Sequence, residues 1–177
     1  VQDDFAMISF TMQTDHFTIS PITPGDLDAV LAVYRQCEDF LALGPDPTAS
    51  MAMVMKDIEI SQGEGGIYCG VYTAEGALIG VVDYMPRGFE GNPQRAYLSL
   101  LMLAAPFRGR GIGPAVVAAV EAEIHKDAQI QAIFLGAQVN NPQAIQFWQR
   151  QGYRIVGGPT LMHDQTTVFE LRKDLTR

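Results

Sequence analysis

Cysteine is scarce in this chain, basic residues are outnumbered, and long apolar runs are missing. Only two of the 177 residues are cysteines, Cys37 and Cys69. Neither sits in a CxxC pair, and no histidine–cysteine cluster accompanies them. That spacing points away from zinc and toward two buried, reduced thiols. No apolar stretch reaches the ~18 residues that a membrane-spanning helix needs. The opening VQDDFAMISFTMQTDHF carries Asp3 and Asp4 where an export signal would carry lysine or arginine, so no signal peptide is read and a cytoplasmic location is expected.

What the chain does have is apolar residues, at 47%, enough for one domain with a real core and against disorder. Twenty acidic residues against 12 basic ones leave a net charge of −8. A field of that sign disfavours nucleic acid and anionic membrane as partners. The charge is uneven. Residues 1–90 hold 14 acidic and 3 basic side chains, a net −11, while residues 91–177 hold 6 and 9, a net +3. An anionic ligand on the C-terminal half and a cationic one on the N-terminal half would suit that split.

Residues 1–15 are read as an N-terminal extension and 16–177 as one domain. HFTIS (16–20) is a short strand. Thr23, Pro24 and Asp26 open a helix with Leu27, Val30, Leu31, Tyr34 and Cys37 on one face. A loop, FLALGPDP, leads to a second helix starting near Pro47 or Thr48, with Met51, Val54, Met55 and Ile58 as its stripe, and GEGG ends it. GIYCGVYT (66–73) and ALIGVVDYMP (77–86) form a hairpin. RAYLSLLMLA (95–104) is apolar on both faces and so central in a sheet. Then come a helix burying Ile112, Val116, Val120 and Ile124, a strand at 130–139, a helix from Asn141 to Gly152, and two closing strands. The order β-α-α-β-β-β-α-β-α-β-β predicts a mixed α/β (α+β) fold, its central, largely antiparallel sheet flanked by helices.

The stretch PFRGRGIGP (106–114) stands out in an acidic chain. Unpaired amides and the helix dipole make a helix start an anion site, glycines let a phosphate approach, and Arg108 and Arg110 add charge. A P-loop would need a lysine that is absent here. The dinucleotide fingerprint would need GxGxxG early in a βαβ unit. What remains is R-x-x-G-x-G, at Arg108, Gly111 and Gly113.

That loop resembles the [Q/R]-x-x-G-x-[G/A] pyrophosphate loop of the GNAT superfamily of N-acetyltransferases. The later helix also resembles that family's N-x-x-A-x-x-[F/L]-Y-x-x-x-G-F, with Asn141, Ala144, Phe147, Trp148, Gly152 and Tyr153 at those spacings. Together with the element order, the resemblance covers about residues 16–174. It implies acetyl-CoA as cosubstrate, lying where the fourth strand (95–104) and the fifth (130–139) splay apart. Leu101, Met102 and Leu103 would pair with the pantetheine, and amides from Arg108 through Gly109, Arg110, Gly111 and Ile112 to Gly113 would hold the pyrophosphate. Asn141 would lie near the pantetheine arm, or serve only as a helix cap. Phe147 and Trp148 would flank the cofactor. A homodimer is in keeping with relatives.

The implied reaction is attack of a neutral amine on the thioester, with a small-molecule or peptide amine as acceptor. The Leu103 amide would stabilise the oxyanion. Many relatives protonate the departing thiolate with a tyrosine; this chain has Trp148 there, which is no practical acid. Trp148 therefore packs beside the thiol or belongs to the core. For the base, Asp83 in the apolar VVDYM is a candidate, since burial would raise its pKa; the other reading is a paired structural aspartate. Tyr97 and Ser99 occupy the strand where some relatives keep a glutamate, and His163 lies before the last strand. Glu38, Asp39, Phe40 and Asp46 line the expected acceptor side and Glu90 lies in a loop near it, so a cationic acceptor is expected. A non-catalytic module that binds acyl-CoA or another phosphate ligand is the alternative.

Overall fold

The computed structural model describes residues 10–176. Eight strands form one sheet in the order β1-β2-β3-β4-β5-β6-β8-β7. They are β1 (Met12–Gln13), β2 (Phe17–Pro21), β3 (Ile67–Thr73), β4 (Leu78–Met85), β5 (Arg95–Leu103), β6 (Ala132–Gln138), β7 (Arg154–Leu161) and β8 (Thr167–Asp174). Every neighbouring pair is antiparallel except β5 and β6. The helices are α1 (Leu27–Arg35), α2 (Glu38–Leu41), α3 (Met51–Gly63), α4 (Ile112–His125) and α5 (Pro142–Arg150).

The sheet separates two apolar cores. One gathers Val30, Val33, Tyr34, Val54 and Ile58 from α1 and α3 against Tyr68, Val81 and Met102. The other gathers Val116, Val120, Ile124 and Trp148 from α4 and α5 against Ile19, Val71, Val82, Ile133, Leu135 and Leu171. Both thiols are buried, Cys69 in the strand and Cys37 at the turn between α1 and α2. Among the described residues, no helix is long and apolar enough to cross a membrane.

The structure departs from the sequence expectations at several points. Met12–Gln13, within the stretch read as an extension, forms β1 and pairs with β2. Residues 1–9, including Asp3 and Asp4, lie outside the described residues. The loop read as FLALGPDP begins inside α2, which takes in Phe40 and Leu41. The third helix starts at Met51, not at Pro47 or Thr48, because Ser50 caps it, its side chain accepting the Met53 N–H. Met55 is exposed, off the inner face assigned to it, whereas Ile112 is partly buried and packs against the core with Val116, Val120 and Ile124.

Two departures from regular pairing shape the centre of the sheet. The β4–β5 register shifts between Asp83, opposite Leu100, and Tyr84, opposite Leu98. Ser99 is the extra residue of this bulge, which sharpens the local twist. The parallel β5–β6 ladder covers only Arg95, Ala96 and Tyr97, opposite Ala132, Ile133 and Phe134. Beyond it β6 stays paired to β8 along its whole length, so β5 and β6 diverge.

Candidate functional site

The divergence of β5 and β6 opens a groove of about 1260 Å³. Residues Tyr97 to Leu103 form one wall, and Gly136, Ala137 and Gln138 of β6 with Asn141, Phe147 and Trp148 form the other. One end opens at Arg108, Gly109, Gly111 and Gly113; the β7–β8 turn, with Met162, His163 and Asp164, also borders the groove. Phe40 and Leu43 approach from the α2 side, Ile60 and Glu64 from the end of α3.

The loop end is built for an anion. Gly109 and Gly111 have φ of 70° and 79°, left-handed values that glycine adopts without strain. Gly111 is the N-cap of α4 and offers no side-chain cap. Among the described residues, the amides of Gly109, Arg110, Gly111, Ile112 and Gly113 have no protein acceptor. A Cβ at Gly109 or Gly111 would meet nothing within 4 Å, so the space beside these amides is open. At Gly113 a Cβ would stand 3.3 Å from the Phe147 ring, so glycine lets α5 close on the helix start. Five free donors, a helix N-terminus and the exposed Arg110 fit a pyrophosphate.

Arg108 has a different task. Its amide donates to Ala105 O. Its Nε donates to Leu103 O at 2.9 Å, and the remaining guanidinium nitrogens reach Gln36 O and both carboxylate oxygens of Asp39. The expected amide cradle therefore starts at Gly109, and the Arg108 side chain straps β5 to the α1–α2 turn. The guanidinium holds the Asp39 carboxyl below the usual carboxylate range. Cys37 Sγ also donates to Leu103 O, and burial pushes that thiol up.

Along β5, Ala104 N–H donates to Ile79 O on the β4 side. Amide directions alternate along a strand. The Leu103 and Leu101 amides therefore face the groove, where β6 no longer supplies a ladder partner. The Leu103 carbonyl is occupied by Arg108 and Cys37, whereas Leu101 keeps both backbone groups for a ligand. Met102 is 4% exposed with its side chain in the α1–α3 core, so only its backbone is at hand.

Trp148 is 8% exposed, lines the groove, and packs edge-on against Phe147 and Tyr153. It is both core and groove wall. Asn141 caps α5, its Oδ1 accepting the Ala144 N–H, and faces the groove as well. Tyr97 stacks on Phe89 at 4.3 Å and sits where the splay begins. Burial raises its pKa, so it is no base near neutrality. Asp83 is 6% exposed, and burial lifts it to about 6, opposed by the Ser61 hydroxyl that donates to it and by the hydroxyl of Ser99.

The expected acceptor acids are mostly engaged elsewhere. Glu38 accepts the Ala49 N–H, Asp39 is tied to Arg108, and Asp46 lies exposed in its loop. Glu90 pairs with Arg95 at 2.7 Å in a separate depression lined by Gly91, Asn92 and Gln129. Contacts with other segments of the chain satisfy Glu38 and Asp39, and Glu90 is paired with Arg95, a competition the charge count could not reveal. Phe40 does line the groove, as does His163. Three residues were missed. Ser61 on α3 and Glu64, its C-cap, share a polar stripe with Asp57, a spacing visible as i, i+4, i+7. Gln138 Oε1 is the one buried side-chain oxygen without a partner among the described residues. It belongs to the groove wall and can accept a ligand N–H.

With this geometry in view, comparison with known proteins is direct. Residues 28–153 match the model of the Acetyltransferase (GNAT) family. The chain belongs to that family. A 65-residue stretch, 37% of the chain, is 35% identical to the probable N-acetyltransferase san of Drosophila melanogaster and covers 35% of that protein. The chain thus matches about a third of this relative's length. An acetyltransferase from Thermus thermophilus superposes with a TM-score of 0.76 at 22% identity, over 94% of this chain and all of that one. A spermidine N-acetyltransferase from Vibrio cholerae, solved with CoA and spermine, superposes with a TM-score of 0.69 at 15% identity, over 91% and 96% of the two chains. These structures share the fold, an open mixed sheet flanked by helices.

Proposed function

We propose that this protein is an acetyl-CoA-dependent N-acetyltransferase that modifies a primary amine on a cationic small molecule. The observation that carries this is the unpaired edge of β5 running directly into five unpaired amides at the start of α4. That arrangement suits a ligand with a strand-like amide arm joined to a pyrophosphate. The CoA-loaded neighbour of the same fold and the family membership support it.

Bound acetyl-CoA would supply a thioester carbonyl as the electrophile. Gly109 to Gly113 hold the pyrophosphate, and Leu101 offers N–H and C=O to the arm. Since Leu103 adjoins the loop through Arg108, the reacting end lies further back along β5. The Leu101 amide is therefore better placed than that of Leu103 to meet the charge developing on the carbonyl oxygen. Asp83 is the proton sink, with a pKa of about 6 that leaves it ionised and basic at neutral pH. Trp148 donates no proton, so the thiolate leaves unassisted, tolerable for a thiol of pKa about 8.5.

For the acceptor, Glu64 and Asp164 on the groove wall and the acidic N-terminal half favour a second positive charge. A panel of diamines, neutral monoamines and peptide amines should show kcat/KM at least about 10-fold higher for the dications, the ~1.4 kcal/mol that one extra charge contact supplies. Preference for neutral or anionic amines would contradict the acceptor assignment. The absence of a tyrosine at Trp148 favours the second reading, a non-catalytic acyl-CoA module, which turnover of any amine in the panel removes.

A further inference from the structure

Asp83 has a difficulty as a proton acceptor: it does not line the groove. At 6% exposure it lies behind β5, and no acceptor amine in the groove can touch it. Ser99 can. The bulge opposite Asp83 and Tyr84 leaves Ser99 without a cross-strand partner, exposed on the groove wall. Ser99 directly precedes Leu100, the residue opposite Asp83 in the β4–β5 register, and its hydroxyl favours the charged form of the Asp83 carboxyl. A serine hydroxyl both donates and accepts, so it can receive one proton while passing on another.

Behind Asp83 the packing is tight. Ser61, 3% exposed, donates to Asp83 Oδ1 at 2.6 Å. Gly66 N–H donates to Ser61 O at 2.7 Å. A Cβ on Gly66 would stand 2.5 Å from Ser61 Oγ and 3.2 Å from Asp83 Oδ1, so only glycine lets the chain pass so close. A buried carboxyl thus has one fixed hydrogen-bond partner on α3 and one hydroxyl beside it on the groove wall.

We propose that Ser99 relays the acceptor's proton to Asp83 and that Ser61 is the positioning residue that holds Asp83 for it. This rests on the N-acetyltransferase reading with Asp83 as proton sink. The ammonium N–H bond breaks and its proton moves to Ser99 Oγ; the original Ser99 proton moves to Asp83. The products are a neutral amine, an unchanged serine and a protonated Asp83. The groups facing Asp83 are Ser61, Asp57 and Glu64 from α3 and its C-terminal end, Tyr68 and Cys69 from β3, and Ser99 from β5. Asp57 and Glu64 are acidic and oppose its ionisation, while the two hydroxyls favour it.

The test is the pH profile of acetyl transfer to a diamine between about pH 5 and 9, with acetyl-CoA affinity measured in parallel. Wild type should lose activity below an apparent pKa of about 6. Ser99→Ala should lower kcat by about 10- to 100-fold and erase that acidic limb, leaving acetyl-CoA affinity within about twofold. Ser99→Thr, which keeps a hydroxyl, should restore most of the activity. Ser61→Ala should move the acidic limb to higher pH, because a hydrogen bond to the charged form is lost. Wild-type kcat with an unchanged limb in Ser99→Ala, alongside an inactive Asp83→Asn, would overturn the relay alone. An unchanged limb in both variants would overturn the role of Asp83 too and send the proton to an exposed group such as Glu64. No turnover by wild type with any amine would overturn the enzyme reading.

Discussion

Asp83→Asn should give a protein that is more stable and less active. The sign follows from burial. In the folded chain the carboxyl titrates at about 6, whereas an unfolded aspartate titrates near 3.9. A raised pKa means that the ionised form is penalised by folding. Below about pH 4 the group is neutral in both states and costs nothing. Stability is then lost as pH rises from about 4 through 6, and the loss stays constant above. Two pKa units correspond to about 3 kcal/mol, and asparagine avoids that loss while keeping an acceptor for Ser61. Denaturant melts should show Asp83→Asn about 2–3 kcal/mol more stable at pH 8, with the gap closing toward pH 4. Turnover should fall at least about 100-fold, the usual worth of a general base. A variant less stable than wild type at pH 8 would mean that Asp83 is a structural anchor instead.

The second large effect is expected at the other end of the groove. Arg110→Glu should weaken acetyl-CoA binding by about 10- to 100-fold at low salt, and by less as salt is added. Arg110 is exposed, with its guanidinium carbon 5.9 Å from the Phe107 ring, and among the described residues it makes no ion pair, so the exchange leaves the loop backbone intact. It replaces one favourable charge near the phosphates by one unfavourable charge. Each is worth on the order of 1 kcal/mol at a few ångströms in high dielectric. Arg108 is the wrong residue for this test, since its loss would free Asp39, Gln36 and Leu103 together. Titration calorimetry decides; an affinity change below about twofold would remove the loop from the phosphate site.

Why was so much of this visible in the sequence? The loop and its helix declared themselves because glycine, arginine and a helix start at fixed spacing have few structural alternatives. Asn141 and Gly152 bracketed α5 for the same local reason. Long apolar strands and helix stripes placed the elements in the right order. The short β1 lacked any pattern longer than two residues, so only the sheet itself reveals it.

The acceptor side was harder because its logic is non-local. Asp39 and Arg108 are 69 positions apart, and nothing near Asp39 announces that its charge is already matched. Glu90 likewise satisfies Arg95 and leaves the groove. Asp83 was legible as an oddity in an apolar strand, but Ser61, Gly66 and Ser99 acquire meaning only once α3, β3 and β5 are packed around it. The bulge that exposes Ser99 is a matter of register between two strands, which composition does not encode.

Every role proposed above depends on acetyl-CoA binding along the open edge of β5 with its pyrophosphate on Gly109 to Gly113. The melting temperature with and without excess acetyl-CoA tests that binding directly. At about 100 times the dissociation constant a ligand adds ~2.7 kcal/mol, which in a domain of this size corresponds to a rise of roughly 5–10 °C. That rise is the predicted result; an unchanged melting temperature at millimolar acetyl-CoA would contradict it.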